Sequence, residues 1–303
     1  MRSSPSSAST QPAWSAPHAR CSLRGETTPR MTDSASTSDG WLADDLALAL
    51  RAADIADGVS LPGYERRGFS VERKADRSEV TEIDRATESA ISELLRAQRP
   101  DYSLCGEEHG VVGPRDAQRQ WVVDPIDGTS NFVRGVPVWA TLIALVDDGV
   151  PVLGVVSAPA LQRRWWAARG LGAHGTTANA APRELRVSTT NELRRASASI
   201  TVSESWHAAG KTAQLDRLQR SVARLRNYGD FWQHMLVAEG AVDFAIDAIG
   251  LGPYDIAAIA TVVTEAGGGW SDRHGTPDWR SDSLVTSNGA LHSIVLQELN
   301  PRP

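Results

Sequence analysis

Apolar residues at Leu42, Leu46, Leu50, Ala53 and Ile55 recur among polar ones with helical period, so the chain from Trp41 onward predicts an amphipathic helix. A turn-rich stretch, 63–69, leads to a short strand at 71–74. A second helix is expected over 83–98, where Ala86, Ala90, Ile91, Leu94 and Leu95 share one side. The pattern then changes to apolar, β-branched runs. A strand at 121–123 enters Asp124, runs at 138–146 and 152–158 flank the hairpin signal Asp147-Asp148-Gly149, and an extended segment covers 163–168. Beyond these, the pattern predicts a strand at 196–202, helices at 210–222 and 231–239, a strand at 241–246 and a helix at 254–266. Gly267-Gly268-Gly269 stops that last helix.

Helices and strands that alternate without a clear linker predict an α/β fold built as one layered body. We place that body at residues 39–303, with an α+β half over about 39–185 and an α/β half over about 186–297. Residues 1–38, rich in Ser, Thr, Pro and Ala, carry neither period and are expected to be disordered. Met31 is a possible true start within them.

Composition narrows the partners. With 31 Lys+Arg against 37 Asp+Glu, the chain carries a net charge of −6. That argues against nucleic acid or an anionic membrane surface as main partner, because both require a basic face. The longest uncharged stretches, 138–146 and 149–161, fall short of the ~20 apolar residues of a membrane span. Two cysteines provide no Cys-rich zinc site, and seven scattered histidines show no metal-ligand spacing. Trp165-Trp166 is not read as a base-stacking platform, since neighbours on a strand face opposite ways. A small-molecule substrate and a cytoplasmic location fit this composition.

The chemistry concentrates in Trp121-Val-Val-Asp124-Pro125-Ile126-Asp127-Gly128-Thr129-Ser130-Asn131-Phe132. A buried strand delivers two carboxylates three residues apart into a turn whose proline fixes φ and whose glycine tolerates unusual backbone angles. The Ile126 carbonyl can join Asp124 and Asp127 as a third oxygen, a donor set for a hard divalent cation. Thr129, Ser130 and Asn131 then offer a helix start whose free N–H groups and positive dipole end can receive a phosphate. Three further acidic segments accompany it: Gly106-Glu107-Glu108, Val80-Thr81-Glu82-Ile83-Asp84 and Tyr254-Asp255-Ile256-Ala257-Ala258.

With these motifs the sequence resembles the inositol-monophosphatase superfamily of magnesium-dependent, lithium-sensitive phosphatases over residues 41–297. The central signature, Asp-Pro-Ile-Asp-Gly-Thr followed by Asn-Phe, stands at 124–129, 131 and 132. The second, an aromatic-Asp-x-Ala-Ala before Glu-Ala-Gly-Gly, stands at 254–258 and 265–268, with Tyr254 where the family normally has Trp. Within the superfamily, 131–140 and 154–170, together with Tyr228-Gly-Asp230-Phe231 and 238–243, are similar to histidinol-phosphate phosphatases of actinobacterial type.

The resemblance implies a layered sandwich of alternating helix and sheet layers, two or three Mg²⁺ per active site, and a homodimer. It implies that Glu107, Asp124 and the Ile126 carbonyl hold one metal, while Asp124, Asp127 and Asp255 hold another. Asp84, Thr129 and Glu107 would be the catalytic residues, Thr129 paired with Asp84 to orient and deprotonate the attacking water. The implied reaction is hydrolysis of a phosphate monoester without a phosphoenzyme. For the leaving group, histidinol phosphate carries an ammonium that acidic residues would favour, so Asp230, Glu239 and Asp247 are assigned to the substrate with Gly128, Thr129 and Ser130. The rival readings are an inositol-1-phosphate or broad sugar-phosphate phosphatase with the same centre, and a non-catalytic binding relative.

Overall fold

A computed structural model describes residues 40–74, 78–178 and 180–301. The expectations for residues 1–38, including a start at Met31, lie outside the described residues. In chain order the elements of the first half are α1 (Gly40–Arg66), β1 (Val71–Arg73), β2 (Glu79–Thr81), α2 (Glu82–Gln98), β3 (Ser103–Gly106), β4 (Gly110–Val112), β5 (Arg119–Asp127), α3 (Thr129–Arg134), β6 (Ala140–Asp147), β7 (Val150–Ala158), β8 (Arg163–Ala168), β9 (Ala173–Thr177) and β10 (Arg183–Glu184). There follow β11 (Ser197–Ile200), α4 (Ser205–Ala208), α5 (Thr212–Ser221), β12 (Arg224–Arg226), α6 (Asp230–Ala238), β13 (Phe244–Asp247), α7 (Pro253–Glu265), β14 (Gly269–Ser271), β15 (Leu284–Ser287) and α8 (His292–Leu299).

Two large sheets result. The first has eight strands in the order β10-β9-β8-β7-β6-β5-β3-β4, antiparallel except for the β3–β5 pair. The second has five strands, β12-β11-β13-β15-β14, with parallel pairs on either side of β11. The alternation of side chains along each strand assigns the layers. Trp121, Val123, Ile143 and Leu145 turn toward Leu48, Ala52, Ile91 and Leu95 of α1 and α2. Their neighbours Val122, Leu142 and Ala144 turn the other way, onto Ile256, Ala260 and Val263 of α7 and Met235 of α6. Beyond the second sheet, Ala198, Ile200, Phe244 and Ile246 bury against Leu215 and Leu218 of α5 and Val295 of α8.

The layers therefore run helix, sheet, helix, sheet, helix, the alternating sandwich expected for this fold. A sheet buried on both faces explains why 138–146 and 152–158 read as continuous apolar runs. Trp165 and Trp166 point to opposite faces, into the α6–α7 layer and the α1–α2 layer respectively.

Three local departures have physical causes. The first helix does not turn at Gly63 but continues through Pro62 to Arg66. Leu61 and Tyr64 pack on Phe132 and Trp139, and the lack of a side chain at Gly63 admits Ile83, whose Cδ1 would lie 2.9 Å from a Cβ there. Tertiary contact outweighs the hydrogen bond lost at the proline. The strand expected at 241–246 begins only at Phe244, because Gly240 (φ +72°) ends α6 and Ala241 N–H donates back to the Leu236 carbonyl at 2.9 Å. The short strands β12, β14 and β15 had no periodic signal long enough to read.

Candidate active site

Residues i and i+3 of a regular strand face opposite sides, yet Asp124 and Asp127 must face one point. The bulge in β5 solves this. Asp124 pairs with Leu142 and Asp127 with Ala140, so two residues of β5 oppose one of β6 and the alternation shifts by one. Asp124 Oδ1 accepts the Ile126 N–H at 2.9 Å, and the Pro125 carbonyl accepts from Thr141 Oγ1 at 2.8 Å, which pins the irregular segment. Gly128 follows at φ +83°, where a Cβ would lie 3.0 Å from the Val138 carbonyl oxygen. Only glycine makes this corner without strain.

The corner starts α3, which Phe132 anchors among Tyr64, Phe69 and Trp139, with ring centroids 5.0–5.5 Å away. Thr129 on its first turn has one hydroxyl proton and two acceptors, Asp84 Oδ1 at 3.1 Å and the Ile126 carbonyl at 3.0 Å. Asp84 is held in turn by its own helix start. Thr81 caps α2, and its N–H and hydroxyl both donate to Asp84 Oδ2. Burial pushes the Asp84 carboxyl up to about 6, against the pull of these hydrogen bonds.

Asp255 arrives from the first turn of α7, where its Oδ2 accepts the Gly252 N–H at 2.5 Å. Its carboxylate lies with those of Asp124 and Asp127, ligand oxygens within 4.8 Å of one another. Asp124 is buried and the other two are partly exposed, so the cluster opens to solvent on one side. Burial raises the carboxyls of Asp124 and Asp127 well above the ordinary range. Further elevation comes from Glu107, Asp255 and Asp127 at Asp124, and from Asp230, Asp255 and Asp247 at Asp127. Glu107, after β3, is pushed up to about 8 by burial, with Glu108 and Asp255 adding to the shift. Lys74 opposes it from the end of β1, its Nζ 2.8 Å from both Glu107 and Glu108.

A phenol completes this wall. Tyr254 precedes Asp255, and burial together with the carboxylates of Glu107, Asp255 and Asp124 pushes its ionisation far above normal, so it stays a neutral donor. The donor set of the cluster is all oxygen. That chemistry fits a hard divalent cation and no softer metal. The upward shifts point the same way, because like charges gathered in a partly dry cleft need an added cation to remain ionised together.

Asp230 opens α6 beside this cluster. Its φ of +47° is unusual for a residue with a side chain. That backbone lets the Phe231 N–H reach Asp127 Oδ2 at 2.8 Å, while Asp230 Oδ2 accepts from Asn131 Nδ2 at 2.7 Å. Burial, then Asp247 and Asp255, raises the Asp230 carboxyl to about 6. Asp247 ends β13, and its Oδ2 accepts from Gln233 Nε2 at 2.6 Å and lies 2.9 Å from His234 Nε2.

One expected substrate residue, Glu239, sits elsewhere, and another, Ser130, faces the cleft through its backbone alone. Glu239 is at the opposite end of α6 from Asp230, about 13 Å along the helix. There its carboxylate binds Arg163 at 2.6 and 2.9 Å, Trp165 Nε1 at 2.6 Å and Arg183 at 3.3 Å, so it belongs to a structural ion pair and not to the cleft. Ser130 is exposed on the outer side of α3 with its hydroxyl donating to Glu79 Oε2 at 3.0 Å; only its backbone N–H belongs to the helix start. The sequence reading missed Lys74, Glu88, Gln233 and His234, none of which stood in a recognised motif. It placed Asn131 at the helix start and in the central signature, but not its side-chain bond to Asp230.

The chain is similar to known proteins over most of its length. Residues 41–302 match the profile of the inositol monophosphatase family. The chain is 48% identical over 257 residues to a histidinol-phosphatase of Mycobacterium tuberculosis, covering 85% of this chain and 98% of that protein. It is 44% identical over 263 residues to a histidinol-phosphatase of Streptomyces coelicolor, covering 86% and 98%. In three dimensions it is similar to the crystal structure of the extragenic suppressor protein suhB from Bartonella henselae. The TM-score is 0.78 at 27% identity, over 86% of this chain and 100% of the other.

Fold, acidic cleft and relatives together define a phosphoric monoester hydrolase. The chain belongs to the inositol monophosphatase family. Among the described residues no helix is long and apolar enough to cross a membrane.

Proposed function

We propose that the protein is a Mg²⁺-dependent phosphatase that hydrolyses L-histidinol phosphate to L-histidinol and phosphate. The observation that carries this reading is the pair Asp230 and Asp247 beside the Asp124–Asp127–Asp255 cluster, a second acidic patch next to where a phosphate ester would be cleaved. A leaving group with an ammonium and an imidazole suits that patch; a neutral polyol gains nothing from it. The two actinobacterial relatives named histidinol-phosphatase support the same choice.

In this reading Glu107, Asp124 and the Ile126 carbonyl would hold one Mg²⁺, and Asp124, Asp127 and Asp255 another, with two or three ions per site. Bound Mg²⁺ supplies Lewis acidity, which favours ionised water as nucleophile and stabilises the departing alkoxide. The chain's own groups do the rest. The Thr129 hydroxyl orients the water and takes up its proton as it passes its own to the Asp84 carboxylate, 3.1 Å away, with Glu107 nearby. The N–H groups of Gly128, Thr129 and Ser130 receive phosphate oxygens, and Asp230 and Asp247 grip the amine. A homodimer and a cytoplasmic location complete the reading, on the strength of the family likeness.

Phosphate release from L-histidinol phosphate and from inositol 1-phosphate, each with and without Mg²⁺, tests it. We expect Mg²⁺-dependent turnover with histidinol phosphate preferred by about tenfold or more. Equal or better turnover of inositol 1-phosphate would give the cleft to the rival substrate class, and no turnover of either would leave a non-catalytic relative.

A further inference from the structure

Glu88 lies on α2 four residues after Asp84, so the two carboxylates share a helix face. It is fully buried, and nothing in the proposed reaction uses it. Its Oε2 accepts the backbone N–H of Glu108 at 2.8 Å. Its Oε1 accepts the backbone N–H of His109 at 2.9 Å and lies 3.0 Å from His109 Nδ1. Both oxygens thus serve one turn, residues 107–109 between β3 and β4.

The fit around that carboxylate is tight. A Cβ at Gly106 would stand 1.9 Å from Glu88 Oε1, so glycine is the residue that lets the carboxylate reach the turn. On the other side the Glu107 N–H donates to the Val123 carbonyl of β5 at 3.1 Å. Three consecutive N–H groups, those of Glu107, Glu108 and His109, are therefore fixed, one by β5 and two by Glu88. Burying a carboxylate is costly unless hydrogen bonds offset it. Here the compensating donors come from a single turn, and that turn presents Glu107 to the cleft.

We propose that Glu88 is a positioning residue that sets the placement of the Glu107 carboxylate and thereby the divalent-cation affinity of the site Glu107 shares with Asp124. The inference rests on the reading of Glu107 as a metal ligand. Glutamine at 88 keeps the shape but replaces one acceptor oxygen with an NH₂ that faces a backbone N–H, which breaks that clamp and repels the donor it faces, while the remaining oxygen still accepts the other N–H. The turn is then held by two of its three N–H groups.

The test is Mn²⁺ binding to the purified protein, followed by electron paramagnetic resonance and by calorimetry, beside thermal unfolding and Mg²⁺-activation curves. Glu88→Gln is expected to weaken the tightest Mn²⁺ site by about tenfold or more, the range typical for groups that orient a metal ligand. Saturating Mg²⁺ should restore most of kcat, which a merely unstable protein would not show. His109→Ala, which removes one exposed ring contact to the same carboxylate, should weaken Mn²⁺ by about twofold to threefold and folds even if Glu88→Gln does not. Parental Mn²⁺ affinity in either folded variant overturns the proposal. Glu107→Gln is the control for the underlying reading: if it too binds Mn²⁺ like the parent, Glu107 is no ligand and the metal assignment fails first.

Discussion

The two ends of α6 carry acidic residues that the fold treats in opposite ways. At the C-terminal end, Glu239 meets two guanidinium groups and an indole N–H, and every neighbour favours its charge. At the N-terminal end, Asp230 faces Asp247 and Asp255, and Asp127 close by faces the same carboxylates, so the neighbours oppose ionisation. A carboxylate with its cation already built in is a stability element. Carboxylates that raise one another's pKa leave part of the protein's stability unrealised, a cost that persists where function requires it.

The contrast breaks most sharply on substitution at the metal cluster. Asp124→Asn should lower kcat/KM by about 10³-fold, the scale of losing a key electrostatic group in a transition state. The same variant should unfold no earlier than the parent in metal-free buffer, because it removes repulsion. A parental kcat/KM would mean that Asp124 holds no catalytic ion.

Glu239→Gln should do the reverse. Leaving Arg163 without its partner should cost about 3 kcal/mol in urea unfolding, while kcat/KM stays within about threefold of the parent. A large activity loss with unchanged stability would put Glu239 back in the cleft. Asp230→Asn sharpens the comparison at the other end of the same helix: turnover of histidinol phosphate should fall about tenfold more than that of a neutral sugar phosphate. Equal losses would remove Asp230 from amine recognition.

The smallest effect concerns pH. Glu107 is raised to about 8, and Asp84 and Asp230 to about 6, all above their unfolded values. A raised carboxyl binds protons more tightly when folded, so the stability it contributes is complete at low pH and is lost as pH rises through the folded pKa. Metal-free protein should therefore lose a few degrees of Tm between about pH 5.5 and 8.5. Mg²⁺, which takes the place of those protons, should flatten that decline and itself bind more weakly toward pH 5.5. A metal-free Tm that climbs over this interval would contradict the shifts.

Much of the layered fold was legible because its signals are local. Helical stripes in α1 and α2, the long apolar stretch of α7 ended by its glycines, and the buried runs of β6 and β7 each span enough residues to declare their type. The short strands β12, β14 and β15 did not, since three or four residues carry no period and owe their pairing to neighbours far along the chain. At the site, Asp124, Asp127 and Thr129 were readable from motif and spacing and Asp84 only through the family resemblance, and the structure brings them together with Asp255 and Glu107 in one cleft. Glu239 misled because an acidic residue near a motif says nothing about which end of a helix it occupies or which arginine waits there.

The amino-acid order alone determined the turn chemistry of 124–129, the helical period of α1 and α2 and the apolar runs of β6 and β7, because each depends on residues a few positions apart. Only the assembled structure decided that α7 delivers Asp255 to the bulge of β5, that Lys74 reaches Glu107, and that Glu88 clamps the turn beside it. Those contacts join segments separated by 20 to more than 100 residues, and their energies depend on burial, which no single stretch of sequence possesses.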